Sequence, residues 1–384
     1  MQRWTRIVLF ALVTAASAIV FWYFYNRGHK FFDLKIYMQA VRWWAHGNDL
    51  YAYAQPDFLQ GKLYFTYPPF AALLLFPFGF LPLGVTATLF TLGTIAAVIV
   101  TTMWIFRALD LPCLWVWYAV PLILAMEPLR ETIPLGQINM LLIVLVLFDL
   151  LVLAPKGSRW MGVGIGLATA IKLTPGVFIV YLLLTRQWRA AATAAATAAG
   201  VTLLTAAVAP RASWDFWTHA LWDTDRVGRT DITGNQSVLG LLHRLSAPAD
   251  PNRVLWLMLA GGLLAFGLLR AVWAHRAGNE VAALALTGLA GGLMSPITWP
   301  HHLYWFVPAL AACLAARRWW LLVAGYLVGV IGVVSLVDYG TALQPTANAG
   351  DFLLRNAFVL LSVIFIAFTP IQSVVRTGPF RVTY

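Results

Sequence analysis

Residues 140–148 read Met-Leu-Leu-Ile-Val-Leu-Val-Leu-Phe and are apolar at every position. A strand of a membrane barrel would alternate polar and apolar side chains, so this run predicts a helix that is apolar all round. Similar runs recur along the 384 residues, of which 61% are hydrophobic and 11% charged. Because only a bilayer tolerates that much apolar surface, we expect an all-α, polytopic membrane protein.

Positively charged connections indicate which ends of the predicted spans face the cytoplasm. They contain Arg3 with Arg6, Arg107, Lys156 with Arg159, Arg186 with Arg189, His275 with Arg276, Arg317 with Arg318, and Arg376 with Arg381. Placing all of them inside gives about ten crossings of the plasma membrane, with both termini cytoplasmic. The predicted spans cover residues 7–25, 84–106, 113–127, 136–153, 189–208, 253–273, 281–296, 301–315, 318–336 and 352–370.

The net charge of +11 comes from basic residues scattered at the ends of spans. Nucleic-acid binding is disfavoured, because it requires basic side chains clustered on one face. Some of these residues are expected to meet anionic membrane lipids instead.

Two apolar segments do not fit the scheme of simple crossings. Lys172-Leu-Thr-Pro175 interrupts residues 160–185, and each half would form only about 18 Å of helix, too short to cross. We expect a re-entrant pair with Lys172 near its tip. The proline-bracketed residues 68–77 are expected to dip in from outside, since irregular backbone at membrane depth requires cover by protein or a water-filled cavity.

Residues 26–67 and 209–252 form two polar segments on the predicted outer side. The first has apolar positions at helical spacing, which predicts a helix lying in the membrane interface. These positions are Leu34, Tyr37, Met38, Val41, Trp44 and Ala45. The second segment is predicted to cover the outer face.

Asp33 lies in the stretch Phe31-Phe32-Asp33-Leu34-Lys35-Ile36-Tyr37, just beyond the first long apolar run. An acid at a membrane edge is costly and is therefore a functional candidate. The alternative is that Asp33 is the N-cap or first-turn residue of the interfacial helix. A partly desolvated carboxylate also suits a general base that takes a proton from a sugar hydroxyl.

Residues 125–139 place polar groups between two apolar spans. Arg130 could bind a phosphate, with Glu131 paired to it, although a solvated loop is the alternative. Gln137 and Asn139 are expected to form hydrogen bonds across helices.

Three further cationic or titratable residues are candidates. Lys172, isolated in an apolar segment, either reaches a nearby membrane boundary or binds an anion such as phosphate. His301 or His302 could hold a phosphate or the acceptor, but incidental histidines in an aromatic belt are the alternative. Adjacent histidines point to different helix faces, so we expect no metal site there, and we interpret Asp223-Thr-Asp225 as a solvated charge run.

Seven motifs occur in the order seen in glycosyltransferase family 87, and the chain resembles that family over most of its length. They are Asp33-Leu-Lys-Ile-Tyr37, Gly47-Asn-Asp-Leu-Tyr51, Phe65-Thr-Tyr-Pro-Pro-Phe-Ala-Ala72, Leu135-Gly-Gln-Ile-Asn139, Ala170-Ile-Lys-Leu-Thr-Pro175, Asn235-Gln-Ser237 and Ser295-Pro-Ile-Thr-Trp-Pro-His-His302. The resemblance implies one GT-C type membrane domain over residues 1–384 and a donor whose mannose is linked to a polyprenyl phosphate. It implies no nucleotide, no cofactor and, in many members, no metal.

The resemblance also implies roles for individual residues. Asp33 matches the acid that acts as base, and transfer to a mannose hydroxyl of a phosphatidylinositol mannoside or lipomannan would form an α-1,2 linkage with inversion. Lys172, Arg130 and His301 or His302 would offset charge on the leaving phosphate. The predicted substrate-binding residues are Tyr37, Glu131, Tyr67, Asn235, Gln236 and Trp299.

Three alternatives remain open at the level of sequence. A polyprenyl-phosphate arabinofuranosyltransferase would differ by only a few donor-pocket residues. A flippase or transporter of lipid-linked sugars would place charges near the midplane, whereas this chain gathers its polar motifs on one face. A structural membrane subunit would not explain so many outer motifs, and no motif in residues 209–252 selects the acceptor.

Overall fold

The computed structural model describes residues 3–25, 30–57, 61–336 and 346–372, and their fold is mostly helical. The first half contains α1 (Arg3–Tyr25), α2 (Phe32–Ala45), β1 (Ala54–Asp57), β2 (Gly61–Tyr64), α3 (Pro69–Leu75), α4 (Leu83–Ala108), α5 (Trp115–Ala125), α6 (Glu127–Leu135), α7 (Asn139–Leu147), α8 (Val163–Ile171) and α9 (Val177–Leu184). The second half contains α10 (Trp188–Val208), α11 (Pro210–Asp215), α12 (Val238–Ser246), α13 (Arg253–Arg276), α14 (Glu280–Met294), α15 (Phe306–Ala315), α16 (Trp319–Ile331), α17 (Val333–Leu336), α18 (Ala349–Arg355) and α19 (Ala357–Phe368).

Among the described residues, four helices are long and apolar enough to cross a membrane. They are α1, α4, α10 and α13, and the pair α18–α19, bent by 75°, would be a fifth span if counted as one. The predicted spans at 113–127, 136–153, 281–296, 301–315 and 318–336 correspond to shorter apolar helices. The structure thus supports a helical membrane protein with four or five candidate spans. The basic tail with Arg376 and Arg381, and residues 26–29 of the first outer segment, lie outside the described residues.

The prediction of an all-α chain is wrong in the first outer segment. Strands β1 and β2 pair antiparallel there, with Ala54 opposite Tyr64 and Asp57 opposite Gly61. Gly61 has φ +75°, a value that favours glycine, and so suits the point where the second strand begins. The helical spacing of apolar residues ends at Ala45. Each strand has only four residues, which is too short for an alternating pattern to be recognised in the sequence.

Helix α2 matches the predicted interfacial helix in position. Leu34, Tyr37, Met38 and Val41 are buried, while Trp44 is half-buried. Ala45 is exposed, contrary to the predicted apolar stripe, because it is the last residue of the helix. Helix α2 is therefore buried on one face, and this buried face does not extend to its last residue.

The predicted break at Lys172 is confirmed, since α8 ends at Ile171 and α9 begins at Val177. Small residues allow α8 to lie close to α10. A Cβ added at Gly162 would lie 2.3 Å from the Ala190 carbonyl oxygen, and one at Gly166 would lie 2.5 Å from that of Ala194. This close packing fixes the helix that leads to Lys172. Whether the pair re-enters the membrane stays a prediction.

Helix α14 runs through the centre of the core. Its residues from Val281 to Ala290 are all buried, and it packs against α13, α15 and α19. Such a helix is apolar all round because it is surrounded by protein on every side. Its end at Met294 delivers the segment Ser295–His302, which carries the two neighbouring histidines.

Candidate active site

Asp33 occupies the first turn of α2, whose N-cap position is taken by Phe31. Asp33 is therefore a first-turn residue and not the N-cap. Its carboxylate lies near the positive end of the helix dipole. The Phe31 N–H donates to the Pro134 carbonyl at 2.6 Å, which fastens the start of α2 to the end of α6. Gly136, with φ +70°, ends α6 where a Cβ would lie 2.6 Å from that of Leu34. Only a glycine lets the two helices approach this closely.

That approach brings Gln137 to Asp33. The Gln137 side-chain amide nitrogen donates to Oδ2 of Asp33 in a short hydrogen bond. Its Oε1 lies 3.1 Å from the Tyr37 hydroxyl and 3.3 Å from that of Tyr67, and the two hydroxyls are 2.9 Å apart. Gln137 therefore orients the acid while two tyrosines orient Gln137.

The tyrosines are suited to act as donors in this arrangement. Burial, with the neighbouring Tyr67 hydroxyl and the Asp33 charge, raises the pKa of the Tyr37 hydroxyl. Burial is also the main cause that raises the pKa of Tyr67. Both side chains thus keep their protons at neutral pH and can donate to the Gln137 oxygen. The predicted contact of both side chains with the substrate stays a prediction, and the structure shows their hydroxyls holding Gln137.

Lys172 lies on the other side of Tyr67. Its Nζ is 5.0 Å from the centroid of the Tyr67 ring and donates to Asn139 Oδ1 at 3.2 Å. The amide nitrogen of Asn139 in turn donates to the His301 carbonyl at 3.2 Å. Asn139 thus joins the break at Lys172 to the segment that follows α14.

His302 and Lys172 form a pair of opposed donors. The Trp299 N–H donates to Nδ1 of His302 at 3.2 Å, so a neutral ring carries its proton on Nε2. That Nε2 lies 3.1 Å from Lys172 Nζ. The two nitrogens are too close to admit an atom between them, but an anion beside the pair could accept from both, in charge-assisted hydrogen bonds that are stronger than neutral ones. This pair is the candidate anion-binding group of the site.

His301 is buried beside this pair, with its ring centroid 4.7 Å from that of His302. Trp299 is half-buried, and it contributes the backbone N–H that sets the His302 tautomer. Within the part of the chain that the structure describes, no group of three His, Cys, Asp or Glu side chains could hold a metal ion. The expectation of metal-free catalysis stays a prediction.

An apolar cavity opens beside Lys172 and His302. Met140, Ile143 and Val146 of α7 form one wall, while Val177 and Phe178 of α9 form another. Gly288, Gly291 and Gly292 of α14 line the remaining side, where side chains would narrow the space. The cavity therefore combines a cationic mouth with a long apolar lining.

Arg130 lies in a different environment. It is buried, its Nη1 donates to the carbonyls of Ala125 and Val330 at 2.9 Å each, and its guanidinium stacks 3.7 Å from the Phe24 ring. These contacts hold the last turn of α16 and favour a structural role over phosphate binding. Glu131 is half-buried on the same helix. Phosphate and substrate roles for these two residues stay predictions.

Asn235 and Gln236 are buried within protein contacts. The Asn235 amide donates to the carbonyls of Thr230 and Pro296, and its oxygen accepts from the N–H groups of Ser237 and Thr298. The side chain of Gln236 likewise donates twice, to Thr233 and Arg355, and accepts from the N–H groups of Phe358 and Val359. No hydrogen-bonding capacity remains for a substrate, which disfavours the predicted direct contact.

Arg244, which sequence analysis did not single out, holds this cluster together. It is fully buried, and its guanidinium donates to the carbonyls of Ile232 and Asn235 and twice to Asn356 Oδ1. Burial, with a smaller effect of the Arg355 charge, lowers the pKa of Arg244. We call Asn235, Gln236 and Arg244 the amide cluster. It joins the second outer segment to α19 and to the segment after α14.

Comparison with known proteins identifies what the sequence is similar to. The sequence profile of glycosyltransferase family 87 matches residues 65–296. A polyprenol-phosphate-mannose-dependent alpha-(1-2)-phosphatidylinositol mannoside mannosyltransferase of Mycobacterium tuberculosis is 35% identical over 79% of this chain and 74% of its own length. A corresponding phosphatidylinositol pentamannoside mannosyltransferase of Mycolicibacterium smegmatis is 32% identical over 90% of this chain and 85% of its own length.

An alpha-(1->3)-arabinofuranosyltransferase of Mycobacterium tuberculosis is 34% identical, but over only 41% of this chain and 37% of its own length. No solved structure matches the chain.

Proposed function

Since the chain belongs to glycosyltransferase family 87, we propose that it transfers mannose from a polyprenyl-phosphate donor to a mannose hydroxyl of a phosphatidylinositol mannoside, forming an α-1,2 linkage. The observation that carries the proposal is the polar chain from Asp33 through Gln137 and Tyr67 to Lys172, at the mouth of an apolar cavity. Such a site has a base at one end and an anion-binding pair at the other.

Asp33 is assigned as the general base. It would accept the proton of the acceptor hydroxyl while the hydroxyl oxygen bonds to the anomeric carbon of mannose. The bond from that carbon to the phosphate oxygen breaks in the same step, and its electron pair leaves with the polyprenyl phosphate. One displacement inverts the anomeric centre, so a β-linked donor gives an α-linked product.

Lys172 and His302 are assigned to the leaving phosphate. Both groups can donate toward one anion, and a low-dielectric cavity strengthens their interaction with the charge that develops there. The apolar walls from α7, α9 and α14 would hold the polyprenyl chain. Tyr37 and Tyr67 keep Gln137 in place and thereby orient the base.

The proposed topology has about ten crossings, with the site on the outer face and both termini cytoplasmic. It is supported by the basic connections, by the shorter apolar helices between the long ones, and by the position of Asp33 at the start of α2, the helix that follows α1. The second outer segment would cover the site, held there by the amide cluster.

A transfer assay tests the proposal. Purified full-length protein is incubated with polyprenyl-phosphate mannose and a phosphatidylinositol mannoside, and the product linkage is read by nuclear magnetic resonance. We expect an α-1,2-linked mannose. A parallel reaction with a polyprenyl-phosphate arabinofuranose donor tests the competing function, to which the partial arabinofuranosyltransferase match points. Arabinose transfer without mannose transfer would overturn the proposal.

A further inference from the structure

A second pocket lies at the end of α19 remote from the amide cluster. At one end of α19, its first N–H groups donate to Gln236. At the other end, 12 residues and about 18 Å away, residues in and after its last turn line the pocket. Arg270, Arg318 and the start of α16 complete the lining. Helix α14 also separates this pocket from the candidate active site. Asn279 at its start donates to the Pro370 carbonyl, whereas its other end leads into the segment with His301 and His302.

The floor of this pocket is fixed by protein contacts. Arg270 donates to the carbonyl of Ile366 at 2.7 Å and to that of Thr369 at 2.8 Å. Asn279 donates to the carbonyls of Pro370 at 3.2 Å and Gln372 at 3.1 Å. The last carbonyls of α19 are thereby neutralised, and the chain that follows is held in one shape.

The lining favours an anion. Arg318 is the N-cap residue of α16 and makes no side-chain cap, so the first N–H groups of that helix face outward as a partial positive charge. The Arg318 guanidinium is exposed beside them, and Arg270 adds a second charge. The described residues that line the pocket include no carboxylate.

Thr369 supplies independent support for a ligand site. It is 0% exposed and lines the pocket, yet its hydroxyl oxygen has no hydrogen-bond partner among the residues that the structure describes. A buried hydroxyl without a partner is unfavourable, and an acceptor oxygen from a ligand would satisfy it.

The edge of the pocket matches a membrane interface. The rings of Trp320 and Phe368 pack 6.0 Å apart and are 58% and 59% exposed. Tryptophan favours the headgroup level of a bilayer, where its apolar body meets lipid. We propose that this pocket binds the headgroup phosphate of an anionic phospholipid, with Arg318, Thr369 and the start of α16 holding the phosphate and the acyl chains lying along Trp320 and Phe368.

Native mass spectrometry of the purified full-length protein tests this proposal. Wild type and variants are mixed with equal amounts of phosphatidylglycerol and phosphatidylcholine that carry the same acyl chains, and the bound lipids are counted. We expect wild type to retain phosphatidylglycerol in excess. Arg318→Gln should weaken that retention about tenfold, as loss of a hydrogen bond between charged partners implies. Thr369→Val should weaken it roughly threefold, because it removes one neutral donor.

Arg317→Gln is the matched control. Arg317 is exposed and adjacent to Arg318 but does not line the pocket, so its loss removes the same charge at the same surface. Equal losses in R317Q and R318Q, or unchanged retention in R318Q, would overturn the site. Thermal unfolding in inorganic phosphate separates the ligand sources. Stabilisation of wild type but not of R318Q by free phosphate, without selective retention of phosphatidylglycerol, would reject the lipid assignment.

Discussion

Two regions of the molecule are polar and largely buried: the series of contacting side chains from Asp33 to His302, and the amide cluster. Each is assembled from segments far apart in sequence. They differ in how their hydrogen-bonding groups are used. In the amide cluster, Asn235 and Gln236 make all of their side-chain bonds to protein. In the region that contains Asp33, Lys172 Nζ and His302 Nε2 lie 3.1 Å apart beside an open cavity. Buried polar groups therefore serve protein contacts in the amide cluster, whereas in the other region we propose that they serve ligand binding.

The largest expected effect tests the first region. Asp33→Asn should lower the transfer rate by about 10²–10⁴, the usual contribution of a positioned general base. The melting temperature should change little, because Asp33 is not the N-cap of α2. Product formation under saturating substrates is the measurement.

Asp49→Asn serves as the control for this substitution, because Asp49 is exposed in the same outer segment. Full activity in D33N would remove Asp33 as the base.

The second prediction tests the amide cluster. Arg244→Met should lower the free energy of unfolding by about 3–5 kcal/mol, because it leaves several buried acceptors without their donor. Thermal unfolding in detergent measures the loss. The activity of the protein that remains folded should stay near that of wild type.

Arg253→Met is the control, since Arg253 is exposed at the start of α13. A stable R244M variant without transferase activity would reverse the assignment and place the amide cluster in the catalytic machinery.

Gln137→Leu tests whether the orientation of the base matters. We expect kcat to fall about 10- to 100-fold, because the base would no longer be held in its reactive position. The KM for the donor should change little. The acidic limb of the pH–rate profile should move to higher pH, because the ionised carboxylate loses a hydrogen-bond donor.

Gln39→Leu makes the same change on an exposed face of α2 and should leave both parameters unaltered. If Q137L changed only thermal stability, Gln137 would belong with the structural amides.

The smallest effect concerns the cavity. A Cβ added at Gly292 would make only ordinary contacts, the nearest at 3.7 Å to Thr298, so Gly292→Leu should fold and reduce the cavity. We expect KM for a long-chain polyprenyl donor to rise about tenfold, equivalent to about 1.4 kcal/mol. A short-chain donor should be affected less.

Gly261→Leu on α13, where nothing lies within 4 Å of the added Cβ, is the control. Equal KM changes for donors of both lengths would argue against the cavity as the site of the polyprenyl chain.

Sequence patterns predicted features that depend on local chemistry. The long apolar runs gave α1, α4, α10 and α13, and Pro175 marked the break that sets Lys172 between two helices. Asp33 was conspicuous because acids are rare in this chain.

Features that depend on distant partners could not be predicted in the same way. Arg130 resembled a phosphate ligand, yet its partner is a carbonyl 200 residues away at the end of α16. Gln137 was expected only to bond across helices, because nothing in its neighbourhood names Asp33 as the acceptor. Arg244 lies on a short helix with an ordinary polar pattern, and only tertiary structure shows that it is buried.

The contact of Gly136 with Leu34 has a consequence for timing. Together with the bond from Phe31 to Pro134, it locks α2, which carries Asp33, to the end of α6, which is followed directly by Gln137. The two groups then move as one unit, and their alignment precedes the arrival of either lipid. The first turnover after mixing should therefore start without a lag, since no slow assembly of the base and its amide has to come before chemistry.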